Sequence, residues 1–408
     1  MFQPDLVRAL RTWGRTAGRS MVGFLLTVGC SSATTQPERD AQQELSAGSA
    51  GEMTAGAGAQ AAVPSAAPAQ AMAAPTQPAA APAQMTQPAA TPAQMAAAPA
   101  QPAAAGAQAP TTTATPAGVV FPGEQWLTKA PMDAGFDAAK LEAAATSLLM
   151  SLPGRQCMAV FRDGYLVYEK YYTGDEHTLN PGFSTSKSFG ATLVGMAVTQ
   201  NLFTTEDLVS SLVPDTTVNA QVKIKHLLTM TGHTDPPGMA FDYGMGQMLL
   251  GNLANAIANK SGMSIGEFFE KNLKTPLSFQ DIDWGGGRFI SFAGNVSTTC
   301  RDGARLGHLW ANGGRWNGQQ LISDAYFNEA TTAAFPMANS GYGYNFWLNV
   351  AFSRTRRISK SFAAMGANGQ YIVVIPELQL VVTSYGDDPE GQMGGAPSLI
   401  SGVLDALL

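Results

Sequence analysis

Ser184 and Lys187 stand three residues apart at the head of an apolar run, residues 181–202, which reads PGFSTSKSFGATLVGMAVTQNL. On a helix that spacing puts two side chains on one face, so a hydroxyl and an amine would meet on the first turn. A serine hydroxyl is a weak nucleophile at neutral pH and needs an adjacent base. A lysine can be that base once burial lowers its pKa, because a low dielectric disfavours the ammonium. Phe189, Leu193, Val194, Met196, Ala197 and Leu202 occupy more than one face of the run, which predicts a buried helix. Its N-terminal N–H groups would face negative charge developing at the serine. Ser-x-x-Lys is short enough to arise by chance, but here it occurs once in the chain and opens a buried helix.

A second serine invites the same question. Gly262-Met263-Ser264-Ile265-Gly266 satisfies G-x-S-x-G, whose nucleophile elbow requires a buried strand before the serine and a helix after it. A helical pattern precedes Ser264 instead, and Ser264 with Glu267 forms S-x-x-E, the capping box of a new helix. His226 sits inside the apolar pattern IKHLLTM and reads as a satisfied structural histidine. The four histidines, His177, His226, His233 and His308, are scattered, and no Cys/His cluster has metal spacing, so no metal or other cofactor is expected. Cys157 and Cys300 could pair in an exported protein, or remain two separate buried thiols.

The elements that must position these residues begin late in the chain. Of 408 residues, 31–118 are dominated by Ala, Pro, Gln, Thr, Gly and Ser, and no charge occurs from Met53 to Gly123. Such composition buries too little apolar surface to offset ordering entropy and predicts a disordered linker. Its proline content and recurring PAQ, at Pro68, Pro82, Pro92 and Pro99, suit an extended spacer. Before it, Arg8, Arg11, Arg15 and Arg19 precede a short apolar run, residues 21–28, that ends at Gly29-Cys30. That is the pattern of a secretory signal. It resembles a bacterial lipoprotein leader with Cys30 as the lipidated residue, although Thr27 holds the place usually taken by Leu. An exported domain tethered to a membrane through a lipid anchor is the expectation. The net charge of −6 and the lack of a basic run after the leader argue against a nucleic-acid partner.

From residue 119 onward the order is helix, hairpin, a helical middle, strands and a final helix. Residues 137–151 have helical periodicity, and QCMAVFRDGYLVYEKYY (156–172) turns at Asp163-Gly164, a hairpin signal. A further helix is expected to be capped at Thr298 or Thr299. YGYNFWLNV, FAAMGANGQYIVVIP and LQLVVTSYG read as strands, and PSLISGVLDALL as an apolar-faced helix. The economical assembly is α+β: one antiparallel sheet flanked by helices, with an inserted all-helical lobe.

In this order the blocks FSTSKSFGATLVGMAV, IKHLLTMTG, FDY, DGARLGHLWANGGRWNGQQLIS, YGYNFWL and GANGQYIVVIP resemble the serine β-lactamase and penicillin-binding-protein superfamily. The likeness spans residues 137–408 and is nearest to the class C-like branch, with family VIII esterases and 6-aminohexanoate-dimer hydrolases. It implies an acylated nucleophile at Ser184, its base at Lys187 and a proton-relaying phenol at Tyr243. It also implies that Gly366 lets a strand approach the substrate and that the Ser184 and Ala367 N–H groups form the oxyanion hole.

The departures carry information too. Where the superfamily has Asn or Ser two residues after the tyrosine, this chain has Met245, expected to be buried at the substrate. Where it has Lys-Thr-Gly, this chain has Ala364-Met365-Gly366. Ala364 cannot bind a substrate carboxylate and Met245 cannot hydrogen-bond an amide, which points to esters or simple amides. Asn368 stands where amide-cleaving relatives place a histidine, also against the substrate. The expected function is a serine hydrolase of small esters or amides; the rival is a weak or inactive penicillin-binding-like sensor module at the cell envelope. The oligomeric state stays open.

Overall fold

The structure is a computed structural model that describes residues 117–151, 154–353, 355–386 and 395–408. The expected signal peptide, Cys30 and all but the last two residues of the linker lie outside the described residues.

Six antiparallel strands form the central sheet: β1 (Arg155–Arg162), β2 (Tyr165–Tyr171), β3 (Trp347–Leu348), β4 (Phe362–Gly366), β5 (Gln370–Ile375) and β6 (Leu380–Gly386). Their spatial order is β2-β1-β6-β5-β4-β3. The hairpin turns where expected, with both Asp163 and Gly164 at positive φ, the two-residue geometry that matches strand twist. Every residue of β5 and β6 is buried. That explains their near-continuous apolar sequences, because a strand covered on both faces has no solvent side to alternate with. YGYNFWLNV yields only the two-residue β3. Asn345 and Asn349 adopt φ of 59° and 55° on either side of it, conformations a strand cannot continue through.

Helices cover both faces. α1 (Ala138–Ser151) buries Leu141, Ala145 and Leu148 and packs with the final helix α5 (Gly395–Asp405). α4 (Cys300–Ala311) lies across β6 and β5, with its N-terminus capped by Thr299, which accepts from the Asp302 N–H at 3.1 Å. Buried side chains of α4 also pin the segment that enters the domain. Arg305 donates to the Gly123 and Glu124 carbonyls, and the His308 ring meets the Val120 carbonyl at 2.8 Å. The helix that follows Ser184, α2 (Thr185–Thr199), packs on β4 and β5, and α3 (Gly251–Ser261) packs on α2 within the helical lobe.

Cys157 of β1 and Cys300 at the head of α4 form a disulfide across 143 residues of sequence. Of the two readings open from sequence, the structure takes the paired one. Closing so long a loop restricts the unfolded chain, so a Cys157→Ala/Cys300→Ala variant is expected to lose about 2–5 kcal/mol. Urea unfolding should show a lower midpoint for the variant. Equal midpoints would show that the bond adds nothing.

Candidate active site

The turn before α2 is tightly tied. The Gly182 N–H donates to Val296 O at 2.7 Å, and Gly182 O accepts the Thr185 N–H and hydroxyl at 3.0 and 2.9 Å. Phe183 is held at φ 48°, a left-handed conformation that costs a bulky side chain roughly 1–2 kcal/mol. Its carbonyl is fixed by the Ser186 hydroxyl at 2.7 Å, which in turn accepts the Val296 N–H at 3.0 Å. These bonds set Ser184 at the N-cap of α2, partly exposed, while the first thirteen of the helix's fifteen residues are all buried.

Lys187 follows on the first turn and is 1% exposed. Its Nζ lies 2.8 Å from Ser184 Oγ and donates to Ala293 O at 2.8 Å. Burial pushes its pKa down to about 7. At neutral pH a substantial fraction is therefore free amine. With one N–H on the Ala293 carbonyl, the lone pair of that amine can face the serine hydroxyl.

Tyr243 arrives from a separate lobe, as the first residue of a short helix (Tyr243–Gln247) whose cap, Asp242, accepts the Met245 N–H at 2.9 Å. Its phenol is buried and hydrogen-bonds Ser184. The ring stacks on Trp347 of β3 at 5.9 Å and meets Tyr342 edge-on at 6.2 Å, with Lys187 Nζ 4.8 Å from its centroid. Desolvation raises the phenol above its ordinary pKa, outweighing the opposing bond from Ser184, so it rests protonated. Ser184 Oγ thus sits between an amine that can be neutral and a phenol that stays neutral.

The end of β4 closes the site. A Cβ on Gly366 would lie 2.3 Å from Gly182 O, so only glycine permits this approach. The contact sets the Ala367 peptide against the turn that carries Ser184. Neither the Ser184 nor the Ala367 N–H is spent on the turn and cap bonds around it. Asn368 follows at φ 60°, partly exposed, with its carbonyl accepting from Arg155 at 2.6 Å. Ala364 is fully buried within the sheet and offers no cation.

Met245 corrects an expectation. It is 53% exposed, not buried, while Tyr243 is 3% exposed. Residues two apart on a helix point to different sides, so a helix that turns Tyr243 inward turns Met245 out. Ser264 caps its helix, accepting the Glu267 N–H at 3.2 Å and donating to its carboxylate at 2.8 Å. His226 accepts the Lys223 N–H at 3.0 Å, and burial lowers its pKa to about 4.

Five contributing residues escaped sequence reasoning. Ala293 acts through a carbonyl, which no side chain advertises. Trp347 and Tyr342 wall the phenol, and Arg155 with Gln370 grips the turn at Asn368. The aromatic density of YGYNFWL, a block read as strand and as part of the superfamily likeness, is the one sequence signal for this wall.

Residues 148–391 match the sequence model of the family described as Beta-lactamase. Among solved structures, a Bacillus anthracis protein assigned as a 6-aminohexanoate-dimer hydrolase aligns with TM-score 0.53 at 17% identity, covering 67% of this chain and 84% of that one. A family VIII carboxylesterase aligns with TM-score 0.53 at 14% identity, covering 69% of this chain and 99% of its own. A penicillin-binding protein homologue from Caulobacter crescentus aligns with TM-score 0.52 at 16% identity, over 67% and 99% of the two chains. At these identities the likeness is one of fold. No curated protein matches the chain in sequence.

Proposed function

As the chain belongs to the beta-lactamase family, we propose that it is a serine hydrolase that cleaves a carboxylic ester or simple amide through an acyl-enzyme on Ser184. One observation carries the reading: a buried lysine with its pKa lowered to about 7 lies 2.8 Å from a hydroxyl that also bonds a protonated phenol.

Neutral Lys187 takes the Ser184 proton as Oγ bonds to the substrate carbonyl carbon. The Ser184 and Ala367 N–H groups receive the negative charge that develops on the carbonyl oxygen. As the tetrahedral species collapses, the bond to the leaving group breaks and Tyr243 gives that group its proton. Lys187 then returns its proton to the phenolate, so both groups regain their resting forms. Water next attacks the acyl carbon, giving up its proton to the same amine. The acid departs as Ser184 is reprotonated. This order assigns the base role to Lys187 alone, because a phenol whose pKa is raised does not accept a proton at rest.

Ala364, buried where a cation would recognise a substrate carboxylate, supports esters or simple amides over β-lactams. A panel of short- and long-chain p-nitrophenyl esters, small amides and nitrocefin tests the class. Turnover of an ester or amide should exceed that of nitrocefin by about 100-fold, a loss within the worth of one hydrogen bond to a charged group. A preference for nitrocefin would overturn the substrate class.

A further inference from the structure

All three carbonyls of the turn that follows β4, Ala367–Gly369, are bound by two buried side chains. Arg155, at the start of β1, is 1% exposed and Gln370, at the start of β5, is fully buried. Gln370 Nε2 donates to Ala367 O at 3.2 Å and to Asn368 O at 3.1 Å. Arg155 Nη2 donates to Asn368 O at 2.6 Å, and Nη1 donates to Gly369 O. Each gripping group is itself held. Arg155 Nη1 reaches the Ser384 hydroxyl at 3.4 Å, and Gln370 Oε1 accepts the Gly386 N–H at 3.0 Å. A Cβ on Gly369 or Gly386 would come within 2.8 or 2.5 Å of Arg155 Nη2, so the guanidinium fills a slot between two glycines.

The consequence follows from the planarity of the peptide. In a trans peptide the C=O and the next N–H point in opposite directions. Register pairing of Gly366 with Gln370 orients the peptide that carries the Ala367 N–H, and the grip on Ala367 O orients the one that carries the Asn368 N–H. Asn368 and Gly369 are both left-handed, at φ 60° and 76°, a conformation that this chain segment needs external bonds to hold in one orientation. Oxyanion donors are effective only when fixed before charge develops, and a displacement of about 1 Å can cost 100-fold in rate.

We infer that Arg155 and Gln370 are positioning residues that clamp the carbonyls of the Ala367–Gly369 turn from behind, so that the turn cannot swing away from the Gly366–Gln370 pair and the Ala367 N–H stays aimed at the oxygen of the carbonyl whose carbon Ser184 attacks. This role rests on the acyl-enzyme chemistry proposed above. Neither side chain touches substrate. Both act through the backbone of the turn.

The test uses the full-length protein with Arg155→Lys, which keeps the charge but loses the fork, and Gln370→Met, which keeps the volume but loses the amide. Amide hydrogen exchange in the peptide covering residues 362–370 should accelerate by about tenfold or more, with exchange in α2 unchanged. For p-nitrophenyl butyrate, kcat should fall by about 10- to 100-fold while KM stays within about threefold. The activity midpoint near pH 7 set by Lys187 should not move. Exchange at the turn equal to wild type, with kcat within about twofold, would overturn the clamp. So would acceleration spread equally through α2, which marks general loosening. Should Arg155→Lys fail to fold, Gln370→Met carries the same comparison. Faster exchange at the turn in a protein whose hydrolysis survives Ser184→Ala would uphold the clamp and remove the acyl-enzyme chemistry instead.

Discussion

Ser184→Ala is expected to lower kcat for p-nitrophenyl butyrate by a factor on the order of 10⁴ or more, the scale seen when a serine hydrolase loses its nucleophile. The loss follows from geometry. Ser184 Oγ is held against both the Lys187 amine, at 2.8 Å, and the Tyr243 phenol. The same variant should gain no mass from a fluorophosphonate probe that adds once to wild type at Ser184. Its fold should persist, because the residue is a partly exposed N-cap that makes no side-chain cap bond to its helix. Unchanged turnover in a folded Ser184→Ala protein would end the assignment. Probe adduct on Ser264 would transfer it to the G-x-S-x-G serine.

Lys187 carries the second large effect, and here pH is the variable. Since the proposed active form is the neutral amine, kcat/KM should rise tenfold per pH unit below about 7 and level off above it. No descending limb should appear below the ordinary phenol range of about 10, because Tyr243 is raised above it. Lys187→Met fits the buried volume without the amine. It should cut kcat by about 10²–10⁴ and remove the limb near pH 7. Retention of that limb in the variant would assign it to another group.

The same lysine should leave a mark on stability. Its folded pKa of about 7 lies below the ordinary 10.5. Between those values the unfolded chain binds more protons, so stability climbs with pH over that window. Below pH 7 both states are protonated and the full cost of a buried ammonium is present. Lys187→Met should therefore raise the urea midpoint at pH 6 more than at pH 9. An equal change at both would contradict the lowered pKa.

Local relations were the legible ones. Ser184 and Lys187 meet because three residues make nearly one helical turn, and the caps at Ser264 and Thr299 are set by the residues that follow them. The hairpin at Asp163-Gly164 is of the same kind. What failed was long-range or backbone-borne. Met245 was placed by likeness to a motif, yet the short helix begun by Tyr243 turns it outward. YGYNFWLNV has the composition of a strand, but Asn345 and Asn349 break it into a wall for the phenol.

By itself, then, the order of residues determined which two groups could form an activated pair, where the helices start, and that strands at both ends of the domain must share a sheet. The tertiary structure decided the rest: that Cys157 and Cys300 bond, that Ala293 lends its carbonyl to Lys187, and that Tyr243 reaches Ser184. It also placed Arg155 behind the Asn368 turn, 213 residues away in sequence. Helical periodicity and capping act over a few residues and leave a pattern in the sequence. Contacts between distant segments depend on how sheet and lobe pack, and a backbone carbonyl is the same in every residue type.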